Sequence, residues 1–248
     1  MGFITSALGF GKDEAKEAEK QLKQTRSALE QAKDPQEDQG FIGGSATKLV
    51  ENLLDSGIDG KGPFDSADKV ARSALAKHAG NVDEAVDEVV RDHLKLAAAE
   101  GFVTSVGGFV TLPIALPANV LAFYLLATRM TAAVAQLRGY DLKHQQIRSA
   151  VLLTLVGADA EDLLAKAGVV APAGRLTNLA AQRLPGPALM VVNKAVGFRI
   201  LSSAGRKTLS RFGRAIPLAG GVVGAGMDGY LLKKIADQAR KEFVTKAV

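Results

Sequence analysis

The stretch from Gly101 to Thr128 contains no charged residue, and it limits the possible folds of this chain more than any other segment. It is longer than the roughly 20 residues that a helix needs to cross a bilayer. Pro113 and Pro117 interrupt it, and a proline inside a helix removes a backbone donor and breaks or kinks the helix. We therefore predict two apolar helical limbs, Gly101–Leu112 and Ala118–Arg138, joined by a turn.

Three environments are open to this Pro-broken hairpin: burial in the centre of a soluble domain, a hairpin that dips into a membrane, and a true span. The prolines, a glycine pair and several polar side chains argue against one continuous span. Charged residues make up 23% of the chain, too many for a polytopic membrane protein, and the 47% hydrophobic content is enough for a real core. Central burial is the favoured interpretation.

The rest of the chain has helical periodicity and no sustained alternation of the kind that strands require. A capping box, Asn81 with Glu84, precedes an apolar face that includes Val86, Val89 and Val90. Further helices are predicted over 45–56, 65–79, 144–157, 173–183, 187–212 and 217–244. The predicted fold class is therefore all-α, a compact multi-helix bundle around the Pro-broken apolar hairpin.

The N-terminal part differs in composition from the remainder. Residues 12–33 form a highly charged helical stretch with mostly alanine on its apolar stripe. A linker rich in proline, glycine and polar residues follows over 34–44. We expect a charged helical extension over 1–40 and one all-helical domain over 41–248.

The C-terminal third is strongly basic. From Lys166 to Val248 there are 14 Lys/Arg and three acids, a net charge of +11. This balance suits an anionic surface, either lipid headgroups or nucleic acid, although solvated helix faces give the same pattern. The candidate surface residues are Arg206, Lys207, Arg211 and Arg214. No motif that reads nucleic acid accompanies them, so we favour anionic lipid and expect no nucleic-acid partner.

No catalytic constellation, metal site or cofactor site is recognisable. The chain has no cysteine, and its histidines, His78, His93 and His144, lack the spacing of metal ligands. We expect all three at the surface or at helix ends. Two acids in apolar surroundings, Glu100 and Asp228, need a partner or a proton.

The candidate partners of these two acids are Arg129, Lys194 and Arg199. A structural ion pair or a helix-end carboxylate is the simpler interpretation of each acid. Contact with a ligand headgroup and proton transfer are the functional alternatives.

Three blocks of sequence resemble the EcsC family of bacterial proteins. The first runs from Gly101 to Asn119 and continues through Arg129 to Leu137–Asp141; the others are Asn193–Arg199 and Ile216–Asp228. The resemblance extends over most of 41–248. It implies a bacterial, cytosolic or membrane-peripheral protein of a family named after a product encoded beside an ABC transporter. It implies no catalytic residue.

These observations lead us to expect a non-enzymatic helical protein that binds lipid or another apolar ligand, in the cytoplasm and at the inner face of the membrane. The candidate ligand-binding residues are Glu100, Asn119, Arg129, Asn193, Lys194, Arg199 and Asp228. Two other classes remain open. One is an adaptor that docks onto a membrane transporter, and the other is an enzyme for an apolar substrate that uses one of the two acids.

Overall fold

The structure is a computed structural model of the full chain. It describes residues 41–62, 64–98, 118–157, 160, 164, 186–212 and 220–245. For residues 41–43, 118–119, 186–188, 203–212 and 220–227 only the backbone is described. The predicted extension over 1–40, the first hairpin limb, the turn at 113–117 and the predicted helix over 173–183 lie outside the described residues.

Seven α-helices and one π-helical turn make up the described part of the chain, which contains no strand. The helices are α1 (Phe41–Asn52), α2 (Ala67–Lys77), α3 (Val82–Ala98), α4 (Ala118–Leu137), α5 (Gln145–Val156), α6 (Gly186–Phe212) and α7 (Gly220–Glu242). The π-helical turn, Leu53–Ile58, directly continues α1. The predicted all-α fold class is confirmed.

Asn81 caps α3 as its sequence position predicts. Its side-chain oxygen accepts hydrogen bonds from the backbone N–H of Asp83 at 3.1 Å and of Glu84 at 3.3 Å. The Asn81 amide also donates to the Glu84 carboxylate at 2.8 Å. These bonds satisfy N–H groups that the first turn of a helix otherwise leaves unpaired, so the cap sets where α3 begins.

Helix α4 lies at the centre of the described bundle. It packs against α2, the π-helical turn, α3, α5 and α7, whereas α6 packs against α1 and α5. Residues Leu121, Leu126 and Met130 are at most 1% exposed. The second limb of the predicted hairpin is therefore a helix sheltered inside a helical body.

Length and composition alone would allow one described helix to cross a membrane. The window Val120–Leu137 of α4 is apolar enough, but 72% of it is buried inside the fold. The core helix of a soluble protein passes the same test, because both need a long apolar surface. The burial of α4 is explained by its packing against the surrounding helices.

A bidentate ion pair joins the end of the π-helical turn to α5. Arg148 donates to both carboxylate oxygens of Asp59, at 2.8 and 2.6 Å. We expect Arg148→Lys to lower the free energy of unfolding by about 1 kcal/mol, because lysine cannot bridge both oxygens and Asp59 is partly exposed. Urea denaturation followed by circular dichroism measures this change.

The exposed pair between Lys61 and Asp55, at 2.9 Å, provides the control. Both of its side chains are largely in solvent, so Lys61→Gln is expected to change stability by less than about 0.5 kcal/mol. Equal effects of Arg148→Lys and Lys61→Gln would show that the bidentate geometry contributes nothing extra.

Candidate functional site

Arg129 is the one charged residue in helix α4. Its Nε lies 3.1 Å from Nε2 of His93 on α3, and its guanidinium lies over the ring of Phe64, 5.4 Å from the ring centroid. The side chain is half-buried. The central helix thus presents a single cation, held by an imidazole on one side and an aromatic ring on another.

The hydrogen bonds of His93 define its tautomer. Nδ1 lies 2.7 Å from the carbonyl oxygen of Val89. Because the Nε–H of Arg129 can only donate, Nε2 of His93 must accept, and the ring proton is on Nδ1, where it donates to Val89. Burial lowers the pKa of His93 to about 4, and the charge of Arg129 acts in the same direction. The ring is therefore neutral at physiological pH.

No acid among the described residues forms an ion pair with Arg129. Burial lowers the pKa of Arg129, and the negative charge of Asp65 opposes that shift. The Asp65 carboxylate itself binds Lys69 at 2.6 Å. A half-buried cation is usually paired, so this arrangement leaves Arg129 with hydrogen-bonding capacity that the described protein does not use.

The expectation that all three histidines lie at the surface or at helix ends is wrong for His93, which is 3% exposed. It is confirmed for His78, which follows α2 as its C-cap residue, and for His144, which precedes α5 as its N-cap residue. A sequence signal for the burial of His93 existed. The residue continues the apolar face of Val86, Val89 and Val90 at helical spacing.

An open groove of about 570 Å³ runs between α3 and α7. Val90, Leu94 and Ala98 supply its apolar part. Its charged lining residues are Asp87, Arg91, Lys95, Lys233, Asp237 and Arg240. Its size lies within the range of about 300–1,000 Å³ of sites that bind small molecules.

The charges around the groove are unevenly paired. Arg240 binds Asp87 and lies 3.9 Å from Asp237, so both acids of the groove already have a basic partner. Arg91 and Lys233 are exposed and form no ion pair within the described part of the chain. The groove therefore combines an apolar floor with cations that remain available to an anion.

Three predicted ligand residues, Asn193, Lys194 and Arg199, lie on α6, whereas Arg129 lies on α4. Lys194 and Arg199 are 7% and 9% exposed, and the ammonium of Lys194 lies 5.8 Å from the ring centroid of Phe198. The side-chain oxygen of Asn193 is buried without a hydrogen-bond partner in the described structure. Burial of the two basic side chains removes them from any exposed cationic surface.

Those predicted site residues that the structure describes lie on three helices, α4, α6 and α7. Arg129, one of the three candidate partners of the two acids, contacts His93 and Phe64. Asp228 lies on α7 with a half-buried side chain that has a partner. Glu100 and Arg214 lie outside the described residues. Asn119 lies in α4, and Arg206, Lys207 and Arg211 lie in α6, where only the backbone is described.

A comparison with protein-family models gives one match that covers nearly the whole chain. The model described as the EcsC protein family matches residues 12–245. The chain belongs to the EcsC family. The resemblance inferred from the three sequence blocks is thereby confirmed, and the family match begins further toward the N terminus than those blocks do.

No curated protein and no solved structure matches this EcsC-family chain. The Arg129–His93 pair and the groove between α3 and α7 are therefore interpreted from their own chemistry. Of the residues that form them, Arg129 alone was a candidate from sequence.

Proposed function

We propose that this EcsC-family chain is a non-enzymatic helical protein that binds an anionic lipid at the groove between α3 and α7. The observation that carries the proposal is that one groove has both an apolar floor and two exposed cations, Arg91 and Lys233, that form no ion pair with the described residues. An anionic amphiphile has the matching chemistry, because its acyl part is drawn to the apolar floor and its headgroup to the cations.

The side chains on the groove floor support an apolar contact. Val90 is 5% exposed and packs into the core, while Leu94 is half-buried. An acyl chain in this groove would extend an apolar surface that the core already begins. Each methylene removed from water contributes about 0.8 kcal/mol.

The cations support the choice of an anionic over a zwitterionic lipid. Each Lys or Arg near an anionic membrane surface contributes about 1 kcal/mol of attraction. The two unpaired groove cations are exposed, so they can approach headgroups without breaking an internal ion pair. Asp87 and Asp237 oppose the attraction less than free acids would, because both face Arg240.

The test is flotation of the full chain with vesicles of phosphatidylcholine, with and without phosphatidylglycerol. We expect binding only to the anionic vesicles. The double variant Arg91→Glu, Lys233→Glu is expected to bind them at least tenfold more weakly, because it removes about 2 kcal/mol of attraction and adds repulsion.

A charge-matched control separates the groove from the overall charge of the protein. Lys48 on α1 and Lys143 in the turn before α5 are exposed and do not line the groove. The double variant Lys48→Glu, Lys143→Glu should retain most of the binding. If both double variants lose binding equally, the attraction depends on the net charge of the protein and not on the groove. If the unmodified chain does not bind anionic vesicles, the proposal is refuted.

A further inference from the structure

The contacts of the Arg129 guanidinium involve only its Nε and one of its faces. Its Nε donates to His93, and its face lies over Phe64. Its two terminal nitrogens form no hydrogen bond with the described residues. The planar fork of these nitrogens matches carboxylate and phosphate oxygens, which it can bind through two parallel hydrogen bonds.

A narrow crevice adjoins this cation. Its walls are Ser56 of the π-helical turn, Phe64, and Leu125 and Leu126 of α4, with Arg129 among them. It has no space for a water molecule, so a ligand would bind at its mouth and would not enter it. Ser56 is half-buried, and its hydroxyl forms no hydrogen bond with the described residues, which leaves a further donor beside the guanidinium.

We propose that Arg129, oriented by His93 and assisted by Ser56, forms a binding site for an oxoanion of the carboxylate or phosphate class. His93 acts as the positioning residue, because its neutral ring accepts from Nε and holds the outer edge of the guanidinium toward the crevice mouth. Phe64 covers one face of the cation, so an anion approaches along the edge that carries the free N–H groups.

The electrostatics of the site favour an anion over a neutral ligand. The described surroundings of the guanidinium are an uncharged imidazole, an aromatic ring and leucine side chains. Asp65, the acid that acts on Arg129 through its charge, is bound to Lys69. In such partly desolvated surroundings a charge-assisted hydrogen bond is stronger than it is in water. The site uses different residues from the groove, so it can be tested separately from the proposed function.

The test is nuclear magnetic resonance of the full ¹⁵N-labelled chain at pH 7, following the Nε–H signal of Arg129. Inorganic phosphate is titrated at constant ionic strength against chloride. A parallel sample receives phosphatidylglycerol vesicles, with phosphatidylcholine vesicles as the reference. A saturable shift of the signal with inorganic phosphate would show that free phosphate is enough to occupy the site. A shift with phosphatidylglycerol vesicles but not with inorganic phosphate would show that the site binds a lipid headgroup.

Variants show whether the guanidinium fork carries the binding. Arg129→Lys and Ser56→Ala are each expected to weaken phosphate binding about tenfold, the effect of losing one charge-assisted hydrogen bond. Because Arg129→Lys lacks the Nε–H signal, its titration is followed through the backbone amide signals of Ser56 and Phe64, which are also recorded for the unmodified chain. Arg72→Lys, in an exposed pair with Asp68, is the matched control and should bind as the unmodified chain does. If the unmodified chain responds neither to phosphate nor to phosphatidylglycerol, the proposal is overturned.

Discussion

The substitution Gly197→Ala is expected to lower the free energy of unfolding by about 2 kcal/mol, because α6 crosses α1 at this glycine with no room for a side chain. A Cβ atom at Gly197 would lie 2.6 Å from the carbonyl oxygen of Ala46 and 3.2 Å from its Cα. These are backbone atoms, so the two helices would have to move apart, and the core around Leu49 would lose contacts. Thermal unfolding should show a melting temperature lower by about 4–8 °C.

Gly229 provides the matched control, since it is also inside a helix and no described atom lies within 4 Å of its Cβ position. Gly229→Ala is expected to raise stability by up to about 1 kcal/mol, because alanine favours the helix. If Gly197→Ala lowers the free energy of unfolding and Gly229→Ala raises it, the destabilisation arises at the crossing of α6 and α1. If Gly197→Ala also stabilised the protein, α6 and α1 would not approach each other as described.

Acid is expected to destabilise the protein through His93, by about 3 kcal/mol between pH 6.5 and pH 4. The pKa of His93 is about 4 in the folded chain, against an ordinary value of 6.5. In this window the unfolded chain binds the proton and the folded chain does not, so the stability of the fold decreases as the pH falls. Well below pH 4 both states are protonated and the contribution no longer changes. Protonation would remove the lone pair that accepts from Arg129 and place two positive charges together.

The measurement is urea denaturation at a series of pH values from 7 to 4 for the unmodified chain and for His93→Gln. The variant keeps an acceptor for Arg129 but cannot titrate, so it should lose most of the pH dependence in this window. His144→Gln, at an exposed ring, should keep it. An unchanged slope in His93→Gln would show that acid acts through other groups.

Part of the candidate site could be predicted from sequence. Arg129 stood out as the cation that ends the charge-free stretch, and the structure places it on the central helix. His93 carried a readable signal, its position on the apolar face of α3, but a histidine on such a face does not reveal its hydrogen-bond partner. Arg91 and Lys233 carried no local signal, because they share a groove only after α3 and α7 have packed together.

Within the described residues, the sequence alone determined the α-helices and most of their limits. Apolar periodicity, the Asn81 cap and the prolines are local features, and they act through backbone hydrogen bonding and side-chain direction within a few residues. Gly139, at a φ of 86°, likewise follows the end of α4 where a left-handed residue is needed.

Only the tertiary structure decided which helix faces meet. The crossing at Gly197 and Ala46, the bond between Arg129 and His93, and the charged groove each join residues that are far apart in the chain. Helix faces with the same periodicity can pack in several ways, and the choice depends on close fit between side chains and backbone, which no local pattern contains.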